Sequence, residues 1–218
     1  MDKPLGVSEH IYVWEYPVRV THWVTVGAIL VLSFTGLYIG APWLPGADFL
    51  MSWMRAIHRV CAWTLMASLL ARLYWGLVGN RWASWRVLFP WITCEGRRGL
   101  GRILGYYLFV RGRPDRYVGH NELAGMTYSI VILLLLAEVA TGGALVAQPK
   151  GGWWSTLFGW VFVLVGQQGA RLLHHLNMWL ILGFAVHHVY SAAVMDFEER
   201  NGLLSSMVTG YKFFGRRV

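Results

Sequence analysis

The chain has 218 residues, of which 56% are hydrophobic and only 14% are charged. Because an average soluble domain is about one quarter charged, this composition predicts a membrane protein and argues against an ordinary soluble enzyme. The net charge of +8 does not indicate nucleic acid binding, since eight of the nineteen Lys and Arg residues lie in one loop, at residues 80–122. The two cysteines form no C-x-x-C or C-x-x-C-H motif, so the sequence supports neither a thiol redox pair nor covalent haem attachment.

Four segments are long and apolar enough to cross a bilayer as helices, which takes about 20 residues each. They are residues 18–40, 52–78, 123–147 and 172–195. A fifth apolar run, residues 153–166, is too short to span and carries three tryptophans, so we interpret it as an interfacial helix. The sequence therefore predicts an all-α fold in which residues 1–218 form a single integral membrane four-helix bundle, with a short interfacial helix before the last span.

Positive charge predicts the orientation of these spans. Besides the loop at residues 80–122, Lys and Arg occur before or at the start of the first span and after the last one, namely Lys3, Arg19, Arg200, Lys212, Arg216 and Arg217. The connection at residues 41–54 has none. Since Lys and Arg are retained on the cytoplasmic side, we predict a multi-pass protein with both termini in the cytoplasm.

Histidines recur at two matched depths of the predicted bundle. His174 and His188 are fourteen residues apart, about 21 Å along a helix and nearly on one face. The predicted topology puts His58 at the level of His174, near the outer side, and His22 at the level of His188, near the cytoplasm. Two imidazoles at each level, with no clustered Cys or carboxylate, suit haem iron better than zinc. We predict that these four histidines are the axial iron ligands of two haems held inside the bundle.

The last span also contains a second histidine beside each predicted ligand. Pairing His175 with His188, or His174 with His187, gives a spacing of thirteen, which would turn the second side chain away from the shared face. The interval of fourteen is therefore favoured. His175 and His187 are then neighbours that either hydrogen-bond to a haem propionate, water or quinone, or simply pack.

Arginine lies one helical turn before three of the predicted ligands, at Arg19, Arg55 and Arg171, and a fourth arginine, Arg72, follows His58 by fourteen residues. Arginine binds carboxylates through two parallel hydrogen bonds, so these side chains are candidates for the haem propionates. For Arg19 and Arg171, contact with lipid headgroups is an equal alternative. Arg72 is too deep for that, which favours propionate binding.

Five stretches together resemble the b-type cytochrome subunits of membrane-bound nickel–iron hydrogenases. They are residues 12–23 (YVWEYPVRVTHW), 55–58 (RAIH), 72–80 (RLYWGLVGN), 119–121 (GHN) and 174–190 (HHLNMWLILGFAVHHVY). The wider superfamily includes the cytochrome b subunits of formate dehydrogenase and thiosulfate reductase. The resemblance implies a bacterial cytoplasmic (inner) membrane protein with two non-covalent haems b and no hydrogen-splitting site of its own.

The resemblance also implies partners and an electron path. The partners would be the iron–sulfur small and nickel–iron large hydrogenase subunits on the outer face, quinone and membrane lipid, in a higher-order oligomer of the complex. Electrons would enter at the His58/His174 haem, pass to the His22/His188 haem, and leave to ubiquinone or menaquinone near the cytoplasm. The main alternative is the cytochrome subunit of another respiratory oxidoreductase, such as formate dehydrogenase or thiosulfate reductase. A haem-free transporter or channel is a further alternative.

Three more residues are candidates for a quinone site or a proton path, namely His120, Glu138 and His187. His120 lies near the inner end of the third span, where a surface histidine is an equal alternative. Glu138 interrupts an apolar span, and a carboxyl there is neutral or paired. Our hypothesis is that Glu138 hydrogen-bonds a haem-side group or serves a proton path, and the alternative is a glutamic acid bonded to its own helix backbone.

Overall fold

The computed structural model describes residues 8–44, 48–112, 117–150 and 152–215. Of the basic residues used above for orientation, Lys3, Arg113, Arg116, Arg216 and Arg217 lie outside the described residues. The elements in chain order are β1 (Ser8–Tyr12), α1 (Tyr16–Gly40), α2 (Asp48–Val78), α3 (Trp85–Leu88), a 3-10 turn (Pro90–Ile92), α4 (Cys94–Tyr107), α5 (Glu122–Lys150), α6 (Gly152–Phe158), α7 (Trp160–Glu199), α8 (Leu203–Thr209) and β2 (Tyr211–Gly215).

Four helices among the described residues are long and apolar enough to cross a membrane. They are Tyr16–Gly40, Asp48–Val78, Glu122–Ala147 and Trp160–Glu199, and each contains one predicted span. Leu, Val and Ile are frequent in these helices and charged residues are few, so a helix is the conformation that satisfies every backbone group in lipid. The prediction of a mostly helical membrane protein with four spanning helices is confirmed.

The short apolar run before the last span is helical but broken. It forms α6 and the first residues of α7, where Gly166 interrupts the helix with φ 69° and ψ 174°. That backbone region is open in practice to glycine alone, because a Cβ would clash there. The run is therefore two short helical pieces in front of the last span, where the sequence analysis predicted one interfacial helix.

A two-stranded sheet, which the sequence analysis did not predict, joins the two ends of the described chain. β1 pairs antiparallel with β2, with Tyr12 opposite Tyr211. The pairing continues past β1, since the Val13 and Trp14 amides both donate to the Gly210 carbonyl at 2.9 and 3.1 Å. Gly210 adopts φ 91°, which lets α8 end and β2 begin within one residue. The sheet holds the two ends of the described chain next to each other.

The chain groups into two compact units. Unit 1 comprises Met1–Trp23, Leu70–Ser129 and His187–Val218, and unit 2 comprises Val24–Leu69 and Ile130–Val186. The core of unit 1 contains Trp14 and Ala83, and that of unit 2 contains Ala144 and Ala170.

In unit 1 the start of α1 is tied to the end of α2 through one carboxylate. Glu15 Oε2 accepts hydrogen bonds from Trp75 Nε1 at 2.8 Å and from the Asn80 backbone amide at 2.7 Å. The Asn80 side chain in turn donates to the Val13 carbonyl at 3.0 Å. Because these bonds connect residues sixty or more positions apart, they fix how the two helix ends approach each other within this unit.

Candidate haem sites

The four predicted ligands form two pairs, one in each unit. In unit 1 the rings of His22 on α1 and His188 on α7 have centroids 6.4 Å apart and planes at 59°. In unit 2 the rings of His58 on α2 and His174 on α7 have centroids 6.3 Å apart and planes at 64°. The structure thus brings together the partners that the sequence analysis paired.

Both spacings fit a metal ion between the rings. Two imidazoles that bind one metal from opposite sides, each through a metal–nitrogen bond of about 2 Å, have ring centres roughly 6 Å apart. The donor set also fits haem iron, because two neutral imidazoles leave the four remaining positions of an octahedral iron to the porphyrin nitrogens. The residues present therefore fit a bis-histidine haem at each pair.

In unit 2 each imidazole has a threonine at its Nδ1 atom. Thr35 Oγ1 lies 2.9 Å from His58 Nδ1, and Thr141 Oγ1 lies 2.9 Å from His174 Nδ1. Each hydroxyl already donates its single hydrogen to its own helix, Thr35 to the Val31 carbonyl at 2.8 Å and Thr141 to a carbonyl one turn back at 2.7 Å. The hydroxyl oxygens therefore accept from Nδ1–H, which leaves Nε2 of both rings unprotonated for a metal.

Glu138 adds a carboxylate to one of these rings. Its Oε2 atom lies 2.5 Å from His174 Nδ1, while its other oxygen, Oε1, is buried and lacks a hydrogen-bond partner among the described residues. The Glu138 carboxylate therefore contacts a predicted ligand histidine, and its role towards a haem or a proton path stays a prediction. His174 is thus held at Nδ1 by both a hydroxyl and a carboxylate.

The pair in unit 1 is packed differently. The Nδ1 atom of His22 is buried without a hydrogen-bond partner among the described residues, and the Trp23 ring packs edge-on against the imidazole at 5.1 Å. Tyr128 packs edge-on against His188 at 5.7 Å. An orphaned buried imidazole nitrogen is uncommon in a folded protein and fits a site that is completed by a further group.

Glycine lets the imidazoles of unit 2 pack closely against neighbouring helices. A Cβ at Gly142 on α5 would lie 3.1 Å from His174 Cε1, and a Cβ at Gly36 on α1 would lie 3.5 Å from His58 Cε1. The distance at Gly142 is shorter than an ordinary van der Waals contact, whereas the distance at Gly36 is an ordinary one. The sequence analysis predicted a role for neither glycine.

The arginines predicted for propionates lie in different surroundings. Arg72 Nη1 donates to the Ala83 carbonyl at 3.2 Å, and Arg19 Nη1 donates to the Val208 carbonyl while its Nε is buried without a partner among the described residues. A guanidinium has five N–H donors, so both side chains keep donors for a carboxylate. Arg55 and Arg171 are exposed. Propionate binding by all four stays a prediction.

The His120 ring packs against two aromatic rings in unit 1. Its ring centroid is 4.6 Å from that of Trp14 and 4.6 Å from that of Tyr128. Burial, together with the nearby positive charges of Lys212 and Arg72, lowers the pKa of His120 to about 3. The imidazole is therefore neutral near pH 7, and His120 is a packed residue instead of a surface histidine.

The two extra histidines of the last span stay on the surface of α7. His175 Nδ1 lies 3.0 Å from the Arg171 carbonyl one turn back, and His187 Nε2 lies 3.3 Å from Ser191 Oγ one turn on. Both side chains are exposed, and His174 and His188 form the two pairs. This arrangement agrees with the preference for the interval of fourteen residues, while a role of His187 at a quinone or proton site stays a prediction.

Apolar helices that hold two imidazoles far enough apart for one metal ion between them are typical of membrane cytochromes b. The chain belongs to the prokaryotic cytochrome b561 family, whose sequence model matches residues 13–210. Family membership implies haem of the b type. The chain is also similar to proteins named "Probable Ni/Fe-hydrogenase B-type cytochrome subunit".

Three of these relatives cover most of both chains. The protein from Cupriavidus necator is 39% identical over 212 residues, which is 93% of this chain and 87% of the relative. The one from Rhizobium leguminosarum bv. viciae is 37% identical over 218 residues, 96% of this chain and 91% of the relative. An Escherichia coli relative, named as the subunit of Ni/Fe-hydrogenase 1, is 32% identical over 212 residues, 92% and 90% of the two chains.

Proposed function

We propose that this chain is the di-haem b membrane anchor and electron-transfer subunit of a respiratory uptake nickel–iron hydrogenase. It would pass electrons from the iron–sulfur small subunit, on the outer face of the bacterial inner membrane, to quinone. The observation that carries the proposal is the pair of imidazole sites, with centroid spacings of 6.3 and 6.4 Å. The hydrogenase partner is supported by the names of relatives that align over about nine tenths of the chain.

The residues of the chain would bind the haem iron, orient the ligand rings and exclude water from the sites. Haem iron bound between each pair of imidazoles would supply a one-electron redox couple. Thr35 and Thr141 hold His58 and His174 in the tautomer that presents Nε2, so no ring has to turn when iron changes its oxidation state. Apolar helices keep bulk water from both sites, which limits the reorganisation that an electron transfer requires.

We place electron entry at the His58/His174 site and exit at the His22/His188 site, with both termini cytoplasmic. Electron movement from the outside inward against 100 mV costs about 2.3 kcal/mol for each charge, which a strong reductant such as hydrogen can supply. The orientation is supported by the Lys and Arg residues at 80–122 and at both ends of the chain.

His120 is the best candidate for contact with quinone on the exit side. Its ring packs edge-on against that of Tyr128, which in turn packs edge-on against His188. Because its pKa is lowered to about 3, His120 is a poor proton carrier near pH 7. We therefore favour a hydrogen bond from its neutral imidazole to a quinone oxygen over a proton-relay role.

The number of haems per chain tests the first half of the proposal. Purified protein should contain two haems b, and His22→Ala or His58→Ala should each leave one. The matched controls are His175→Ala and His187→Ala, which remove an imidazole beside each pair and should leave two. A wild-type protein with one haem or none, or controls that lose haem as the ligand variants do, would contradict the assignment of the pairs.

The partner is tested in membranes of the native host. A tagged chain should copurify with nickel and iron–sulfur subunits, and hydrogen should reduce added quinone in these membranes. Both haem-ligand variants should abolish that reduction without affecting hydrogen oxidation with a soluble dye, because the hydrogen-splitting site belongs to another subunit. If formate reduced the quinone in these membranes and hydrogen did not, the alternative partner, formate dehydrogenase, would be favoured.

A further inference from the structure

We infer that the Glu138 carboxylate is a positioning residue that lowers the reduction potential of the haem between His58 and His174. The inference rests on the proposed function, since it requires haem iron at this pair. Glu138 is not one of the four ligands, and it lies on α5, a helix that contributes none of them. It would act on iron through the hydrogen bond to His174.

The contact between Glu138 and His174 is short and shielded. The Oε2 atom lies 2.5 Å from Nδ1, and the side chains are only 13% and 22% exposed. Thr141, one turn further along α5, approaches the same nitrogen at 2.9 Å and uses its own hydrogen on the helix backbone. Two oxygen acceptors therefore share one N–H, and the proton of His174 is fixed on Nδ1.

The burial of the Glu138 carboxylate carries a desolvation cost that its contact with His174 has to offset. Its second oxygen is buried with no hydrogen-bond partner among the described residues, which is unfavourable for a carboxylate. A glutamine or leucine of similar size would avoid that penalty in an apolar span. An unsatisfied buried polar group needs a physical explanation, and here the group that the carboxylate reaches is the predicted ligand ring of His174.

A carboxylate at Nδ1 changes the electronic character of the ligand. It draws the Nδ1 proton towards itself, which makes the imidazole a more basic and more negative donor at Nε2. Such a donor stabilises ferric iron more than ferrous iron, because the ferric ion carries the extra positive charge. The result is a lower potential for that centre, which suits a site that receives electrons from a strong reductant.

Substitution of the carboxylate gives the test, with the other haem in the same molecule as internal control. In Glu138→Gln the Fe(III)/Fe(II) equilibrium of the His58/His174 haem should shift at least tenfold towards ferrous iron, which for one electron is about 59 mV upward. The potential of the His22/His188 haem should not move. Low-temperature electron paramagnetic resonance should show a changed g tensor for one of the two ferric haems.

Two further variants separate an electronic role from a structural one. Glu138→Asp keeps the charge further from the ring, so its potential should lie between those of wild type and Glu138→Gln. Glu122→Gln removes the carboxylate of the first residue of α5 and should leave the potential of the His58/His174 haem unchanged. If Glu138→Gln loses this haem, Glu138→Asp decides: a smaller upward shift supports the inference, and an unchanged potential overturns it.

The outcome is distinguishable from failure of the proposed function. Haem content is measured on the same samples, and a wild-type chain without two haems would overturn the proposed function itself. Two haems with potentials that Glu138→Gln leaves unchanged, or moves downward, would overturn only the inference about Glu138. Equal shifts of both haems would also overturn it, because they would indicate a general structural change.

Discussion

Gly142 offers a direct test of where the His174 imidazole lies. An added Cβ would be 3.1 Å from Cε1 of that ring, 3.7 Å from Nδ1 and 3.8 Å from Nε2. Since ordinary contact begins at 3.4 Å, Gly142→Ala requires a movement of about 0.3 Å. Thr141 and Glu138 hold the Nδ1 atom of the ring, and iron at Nε2 would hold the other side of the ring, so the overlap is relieved less easily with haem than without it.

The expected magnitude follows from this overlap. Overpacking of a rigid site by one methyl group costs about 1–3 kcal/mol. Replacement of glycine by alanine in a helix also gains about 1 kcal/mol, but this gain is the same with and without haem and does not affect haem affinity. Gly142→Ala should therefore weaken haem binding at this pair about 5- to 150-fold. Gly142→Val, with two further methyl groups, should abolish it.

The assay is haem retained per chain, together with the rate at which haem passes to an acceptor protein. Gly142→Val should keep one haem, and Gly142→Ala should lose one of its two haems faster than wild type. Gly36→Ala is the matched control at the same pair, because its Cβ makes ordinary contact at 3.5 Å from His58. Gly183→Val is a second control on α7, where nothing lies within 4 Å. Two firmly bound haems in Gly142→Val would refute the placement of His174.

Three further predictions concern unit 1. His120 has a folded-state pKa of about 3 against 6.5 when unfolded, so the unfolded chain binds the extra proton and stability is lost as the pH falls below about 6.5. From pH 7 to 5 the loss is about 2 kcal/mol, and it should be absent from His120→Phe in unfolding curves at both pH values. Glu15→Ala leaves two N–H donors without their acceptor and should lower the free energy of unfolding by about 2 kcal/mol, with a smaller effect in Glu15→Gln. Equal stability of Glu15→Ala and wild type would count against that network. Tyr12→Cys combined with Tyr211→Cys should form a disulfide on mild oxidation, since paired strand residues lie within disulfide range, and failure to crosslink would argue against the sheet.

The spans could be predicted from the sequence because hydropathy alone determines them. A run of about 20 apolar residues has few conformations available in lipid, so the predicted spans fall inside the observed helices. The β1–β2 sheet could not be predicted, because five-residue strands almost two hundred positions apart leave no local pattern.

The histidine pairs followed from spacing and topology, whereas their surroundings did not. His58 and His174 are recognisable as rare side chains at matched depths. Thr35 and Thr141 are not, since a threonine in an apolar helix most often bonds only to its own backbone. A partial signal was present in Glu138 and Thr141, two polar residues one turn apart on the same helix face. Which ring they reach depends on helix packing, which the sequence does not display.

The pairing of β1 with β2 constrains the order in which this protein can be completed during synthesis. Trp14 is buried, and its indole donates to Ser206 Oγ at 3.0 Å across 192 positions of sequence. A ribosome that has made all four spanning helices has still not supplied the strand that covers β1. The region around His22 therefore reaches its final packing only when the last segment leaves the ribosome, and a chain truncated after α7 would present an open strand edge to other proteins.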